Sequence, residues 1–131
     1  MGYEERSRDE SGCQLSYVTG PIKQPLWSMT LSELLKEQAQ IAPFRQCVIF
    51  SETNHRKTYR ELYSRSIVVA KALLEAGIEK GNHIGISAGN CPAYVDLIFA
   101  ASHVGAALVV FNATYTPAEL KSALKHSGLS L

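Results

Sequence analysis

HIGISAGNCPAYVDLIFAASHVGAALVVFN, residues 83–112, decides the fold. HIGISA (83–88) reads as a strand, GNCPAY as a turn, PAYVDLIFAASHVGA as a helix with Pro92 in its first position, and ALVVFN (107–112) as a fully apolar strand of the kind buried on both faces. Two strands separated by a helix of this length must be parallel neighbours joined by a right-handed crossover. From Pro92 to Phe111 the run is apolar and long enough to suggest a membrane helix. Asp96 and His103 interrupt it, and Gly105 with Asn112 marks a helix followed by a strand, so an α/β core without a membrane span is the better reading.

Working outward, TLSELLKEQAQIA carries a capping box of Thr30 with Glu33, then Leu31, Leu34, Leu35, Ala39 and Ala42 at helical spacing, closed by Pro43. CVIF (47–50), the turn SETNHR and KTY form a small β-hairpin. Thr58 opens a second box with Glu61, and Tyr59, Leu62, Tyr63, Ile67, Ala70, Leu73 and Leu74 line one face of a helix over 59–76 that Gly77 caps. TPAELKSALKHSG begins with Thr116 as N-cap, Pro117 at the first helical position and Glu119 completing a third box, and Gly128 ends that helix. Leu129, Ser130 and Leu131 then open an apolar/polar alternation that reads as a further strand. A domain rarely ends on the opening of a buried element, so the chain is expected to be a piece of something longer, with an exposed sheet edge that binds a partner or aggregates. Residues 1–27, punctuated by Gly20-Pro21 and Pro25, are expected to form a flexible leader, and 28–131 the ordered part.

The 131 residues are 46% hydrophobic, enough for one real core, and thirteen basic against twelve acidic residues give a net charge of +1. That balance offers no electrostatic footprint for nucleic acid, and His55-Arg56-Lys57 is small enough to read as a solvated turn. Cys13, Cys47 and Cys91 are widely spaced and odd in number, which argues for a reducing compartment rather than a disulfide framework. His55, His83, His103 and His126 show no metal-ligand spacing, and no metal is expected. The charged start MGYEERSRDESG is neither a secretory signal nor an anchor, and Arg6 stands where a myristoylation pattern needs Ser or Thr.

A doubly wound pattern invites a search for a phosphate loop, yet glycines 77, 81, 85 and 89 are spaced by four and neither GxGxxG nor GxxxxGK[ST] occurs. GNCPAY follows a strand and opens a helix, the place where α/β proteins put ligands and where a thiol is acidified, so Cys91 is the best single candidate for a reactive group. Its plainer role is a turn and capping residue. Asp96 and His103 share a helix face, but two turns put them about 10 Å apart, beyond hydrogen-bond reach, and they read as structural polar residues on the less buried side. Tyr59 and Tyr115 read as packing residues.

TYREL (58–62), followed by KGNHIGISAGNCPAYVDLIFAASHVGAALVVFNATYTPAEL (80–120), resembles the N-terminal region of the adenylate-forming, AMP-binding acyl-CoA synthetases. The family's (T/S)YxEL helix start, G(D/N)xV-type strand, asparagine turn, Gly-Ala helix end and Asn-Pro-like strand end correspond to Thr58–Leu62, Gly81-Asn82-His83-Ile84, Asn90, Gly105-Ala106 and Asn112-Ala113. LSYVTGP and PLWSMTLSELLKEQA further resemble the medium-chain and fungal secondary-metabolite branch. The resemblance implies an incomplete parallel-sheet subdomain with a hairpin and flanking helices. For the complete enzyme it implies ATP, Mg and CoA, with a carboxylic acid activated as its adenylate and passed to CoA. The family's Ser/Thr/Gly-rich loop ending in Pro-Lys-Gly, its aromatic-Gly-x-Thr-Glu segment, its ribose-holding aspartate and its C-terminal lysine have no counterpart here, so no catalytic, cofactor-binding or metal-binding residue is assigned. The expectation is an N-terminal fragment inactive alone. The alternative is an interaction module that pairs through its open sheet edge with itself or with a complete ligase. Cytosol or peroxisome is the expected location, although Leu129-Ser130-Leu131 is not the SKL address.

Overall fold

The structure, a computed structural model, describes residues 27–129. The expected leader, apart from Trp27, lies outside the described residues, as do Ser130 and Leu131 of the expected last strand. The order is α1 (Leu31–Ile41), β1 (Gln46–Phe50), β2 (His55–Thr58), α2 (Tyr59–Glu75), β3 (His83–Ser87), α3 (Pro92–Val104), β4 (Ala107–Phe111) and α4 (Pro117–Ser127).

All three capping boxes form. Thr30 Oγ1 accepts from the Glu33 amide at 3.2 Å while Glu33 Oε2 accepts from the Thr30 amide at 2.7 Å. Thr58 with Glu61 and Thr116 with Glu119 repeat the arrangement. The amide and then the hydroxyl of Thr30 hold Glu33 below its usual carboxylate range, Thr58 does the same to Glu61, and at Glu119 the Thr116 hydroxyl acts ahead of the amide. At the far end of α2 the chain turns through Gly77 (φ 85°), with Gly77 N–H donating to Leu74 O and Ile78 N–H to Leu73 O, both at 3.0 Å. This paired closure drops Ile78, 3% exposed, into the same core as Leu73.

β1 and β2 pair antiparallel around a turn in which Asn54 takes φ 50°. The second strand begins at His55, earlier than the expected KTY, because backbone pairing with Phe50 recruits residues that the polar sequence assigned to the turn. β3 and β4 are parallel and in register, His83 opposite Ala107 through Ser87 opposite Phe111. Ile84 joins Ala70, Leu73, Ile78, Ala100 and Ala101 in the core, with Leu108 packed against it, so α2 and α3 cover one sheet face.

The other face carries Gly85 and Phe111, and the end of α4 folds onto it. The imidazole Nδ1 of His83 lies 2.7 Å from Ser127 O, and Gly128 (φ 60°) turns the chain so that Leu129 reaches β3. Leu129 is in no strand. Its side chain rests over Gly85, where a Cβ would stand 2.9 Å from Leu129 Cδ1 and 3.0 Å from Phe111 Cε2. Leu129 can swing away from an added methyl, but the Phe111 ring, 6% exposed, has less freedom. Gly85→Val should therefore destabilise the chain by about 2 kcal/mol through overpacking, read as a lower urea midpoint. An unchanged midpoint would show that this sheet face is loosely covered.

Candidate functional site

α3 has almost no solvent face: of Pro92–Val104 only Ala93 is exposed. A helix so covered has to satisfy its polar side chains inside the protein. Asp96, 5% exposed, accepts from Lys57 Nζ at 2.5 Å, and Lys57 also reaches Pro92 O at 3.5 Å. Arg65 Nε stands 3.7 Å from the second carboxylate oxygen, with its side chain 62% exposed. Lys57 is therefore not part of a solvated basic turn, as the sequence suggests, nor does Asp96 lie on a less buried side. The strand alternation turns Lys57 inward, toward the one carboxylate on α3.

Two turns further along α3, His103 Nε2 lies 3.1 Å from Ser66 Oγ, which donates to Tyr63 O at 2.8 Å, and the Tyr63 ring packs 5.8 Å from the imidazole. Asp96 and His103 thus serve separate structural networks and form no acid–base pair. Since the single Ser66 hydroxyl proton goes to Tyr63 O, the His103 Nε2–H donates to Ser66 Oγ. Ser66 is fully buried. A third polar link, Ser32 N–H to Ser102 Oγ at 3.0 Å, fastens α1 to α3.

Cys91 is the N-cap of α3 without a side-chain cap bond, and its carbonyl accepts from the Tyr94 amide at 3.1 Å. It borders a cleft of about 360 Å³ between the hairpin turn and the start of α3, with Phe50, Glu52, Thr53 and Asn90. The cleft's charged lining residue is Glu52, which repels a polyphosphate, and no Lys or Arg lines it. A second cleft, of about 430 Å³, lies among α1, β1, α2 and α3. Apart from Gln38 its walls are apolar, aromatic or thiol. Neither lining fits ATP with a divalent metal. Among the described residues no three His, Cys, Asp or Glu side chains gather as a metal set. Tyr59 lines the apolar cleft as a packing residue, and Tyr115, 42% exposed, belongs to neither cleft's lining.

With this geometry established, comparison with known proteins defines the class. The family model described as AMP-binding enzyme matches residues 35–131. The acyl-CoA ligase SID4 of Ajellomyces capsulatus is 48% identical over 117 residues, 89% of this chain and 20% of that protein, and the medium-chain acyl-CoA ligase ACSF2 of Homo sapiens is 33% identical over 114 residues, 87% and 18%. A fatty acyl CoA synthetase structure from Mycobacterium tuberculosis superposes with a TM-score of 0.73 at 25% identity, covering 76% of this chain and 20% of that one. The N-terminal domain of FACL13 from the same organism also gives 0.73 at 25%, covering 77% and 26%. The chain belongs to the AMP-binding enzyme family and corresponds to the N-terminal part of an adenylate-forming acyl-CoA ligase. It spans about one fifth of the length of the curated relatives it matches. The 117 matched residues outnumber those from Trp27 to Leu131, so the similarity runs about a dozen residues ahead of Trp27.

The two networks on α3 make separate predictions. Lys57→Met strands the Asp96 carboxylate and should cost about 3 kcal/mol, most of it recovered in the double variant Lys57→Met/Asp96→Leu. A double-mutant cycle in urea checks this, and additive losses would contradict it. Burial pushes the His103 ring below its ordinary range. The unfolded chain then binds that proton more readily. The stability gained by keeping the ring neutral is present above about pH 6.5 and is lost as the pH falls through that value. Urea midpoints between pH 8 and 5.5 should fall more for the unsubstituted chain than for His103→Gln.

Proposed function

We propose that this chain supplies the N-terminal structural part of an ATP-dependent acyl-CoA ligase, in which a carboxylic acid is activated as its acyl-adenylate and then joined to CoA. The observation that carries this reading is the 48% identity to a fungal acyl-CoA ligase across 89% of the chain. In the complete enzyme ATP, Mg and CoA are the cofactors. By itself the chain is expected to turn over no ATP: among the described residues the two clefts above are lined by apolar or acidic groups, and neither lining includes a Lys or Arg to stabilise a transferring phosphoryl or adenylyl oxygen. Its own residues contribute packing: α3 and the parallel pair form a platform against which further strands of a ligase domain can lie.

The branch we favour is the medium-chain or fungal secondary-metabolite one, supported by fungal acyl-CoA ligases and a medium-chain ligase among the relatives. We favour cytosol or peroxisome as its location. The free thiols Cys47 and Cys91 support a reducing compartment. Among the described residues no helix is long and apolar enough to cross a membrane.

A second reading has one observation behind it. Among the described residues β3 and β4 pair only with each other, and Val110 is 58% exposed. Such an edge suits β-pairing with a complete ligase or with a second copy. A defined dimer or complex by sedimentation would favour it over the first reading.

The first reading is tested by a chimera in which residues 15–131 replace the matching segment of the Ajellomyces capsulatus ligase. The chimera should form acyl-CoA within about tenfold of its parent, while the 131-residue chain alone releases no AMP. A folded chimera without ligation, or substrate-dependent AMP release by the isolated chain, would contradict the proposal.

A further inference from the structure

Where α1 ends, the hairpin begins and α2 starts, backbone hydrogen bonds tie three segments into one corner. Arg45 N–H donates to Ala42 O, Tyr59 N–H to Arg45 O and Arg60 N–H to Pro43 O, each at 3.1 Å. Gln46 pairs with Thr58 in the ladder, directly before α2. The corner carries Arg45 and Arg60, both exposed, with Phe44, 76% exposed, and Ile41, 68% exposed, at the end of α1. Arg56 sits opposite Ile49 in the ladder, and its guanidinium reaches back to Gln46 at the same corner.

Two of these guanidinium groups are held in place without being neutralised. Arg60 Cζ stands 5.0 Å from the centroid of the Phe44 ring, whose face attracts the cation. Arg56 donates through Nε to Asn54 Oδ1 at 3.2 Å and through Nη1 to Gln46 Oε1 at 3.0 Å. Both acceptors are uncharged amides, and further N–H groups of the fork remain to be given. Among the described residues the ion pairs are Lys57–Asp96 and Arg65–Asp96, so no carboxylate answers Arg45, Arg56 or Arg60. Glu61, on the first turn of α2, has its carboxylate taken by the Thr58 amide and hydroxyl.

Ordering a long side chain is a large part of what binding costs, and here Arg56 and Arg60 are ordered beforehand. Arginine beside an exposed aromatic ring is the composition enriched at protein interfaces, and the planar fork matches a carboxylate. A net charge of +1 and three arginines make too small a footprint for nucleic acid. We propose that this corner binds an acidic segment of another protein, whose carboxylates take the Arg45, Arg56 and Arg60 forks while an apolar side chain packs on Phe44 and Ile41.

Fluorescence anisotropy of the 131-residue chain with a labelled peptide of alternating glutamate and phenylalanine tests this. The peptide should bind more tightly than a glutamate–alanine peptide of equal length, and its affinity should fall as salt is raised. Arg45→Ala/Arg60→Ala and Phe44→Ala should each weaken it by about tenfold or more, while Lys71→Ala, which removes an exposed cation further along α2, leaves it unchanged. Arg45→Glu/Arg60→Glu should instead take up a lysine–phenylalanine peptide, a gain that misfolding cannot mimic. Absence of that gain, equal affinity for the two glutamate peptides, a loss in Lys71→Ala as large as in the arginine pair, or tighter binding of oligodeoxythymidylate or phosphatidylserine vesicles would overturn the proposal. A folded chimera with the Ajellomyces capsulatus ligase that no longer bound the peptide would also overturn it, since the rest of the ligase would then be the occupant.

Discussion

α3 is the helix the rest of the described chain is built to cover. Its sequence, PAYVDLIFAASHV, has no polar face to offer water, so the hydrophobic effect demands neighbours around almost its whole circumference. α2 supplies Ala70 and Leu73, the connection after α2 supplies Ile78, and β3 supplies Ile84. α1 is drawn in by the Ser32–Ser102 bond. α4, by contrast, fully buries none of its residues, and its C-terminal end is held to β3 through His83.

The polar groups on α3 follow from the same constraint. A carboxylate at Asp96 in such a helix would be prohibitively desolvated alone, and Lys57 answers it from a strand 39 residues earlier. The ion pair is weak evidence of net stability, since two ions lose their hydration to make it. Its consequence is specificity, because the hairpin can sit against α3 in only one register without abandoning a charge. His103 and Ser66 play a similar part between α3 and α2, where a neutral hydrogen bond replaces the ion pair.

What the sequence made legible was whatever is decided locally. The three Thr-x-x-Glu caps, Pro92 and Pro117 at helix starts, Gly128 at a helix end and the parallel pairing of 83–87 with 107–111 all rest on residues close together or on chain connectivity. Side-chain partnerships were not legible. Lys57 stood in a polar run that looked solvated, and nothing in HRKT says which residue turns inward until the hairpin is docked. The sole carboxylate in an apolar helix was the available clue that some cation had to be buried nearby. Cys91 was legible as a turn residue, and the structure leaves it there, beside a cleft whose charged lining residue is an acid. Leu129 ends in side-chain contact with β3 rather than within a strand, a placement set by Gly85 lacking a side chain.

Family membership gives this architecture its purpose. The same fold superposes on acyl-CoA synthetase structures at only 25% identity, as expected if coverage of the helix, rather than particular side chains, is what the fold requires. The most direct test of that claim is amide hydrogen exchange on the 131-residue chain, resolved by segment. Enclosure of α3 predicts that amides from 96 to 104 and 84 to 86 exchange slowest and open together, with α4 exchanging well ahead of them. If α3 exchanged as fast as α4, the helix would not be the centre of the fold, and the account built on it would be wrong.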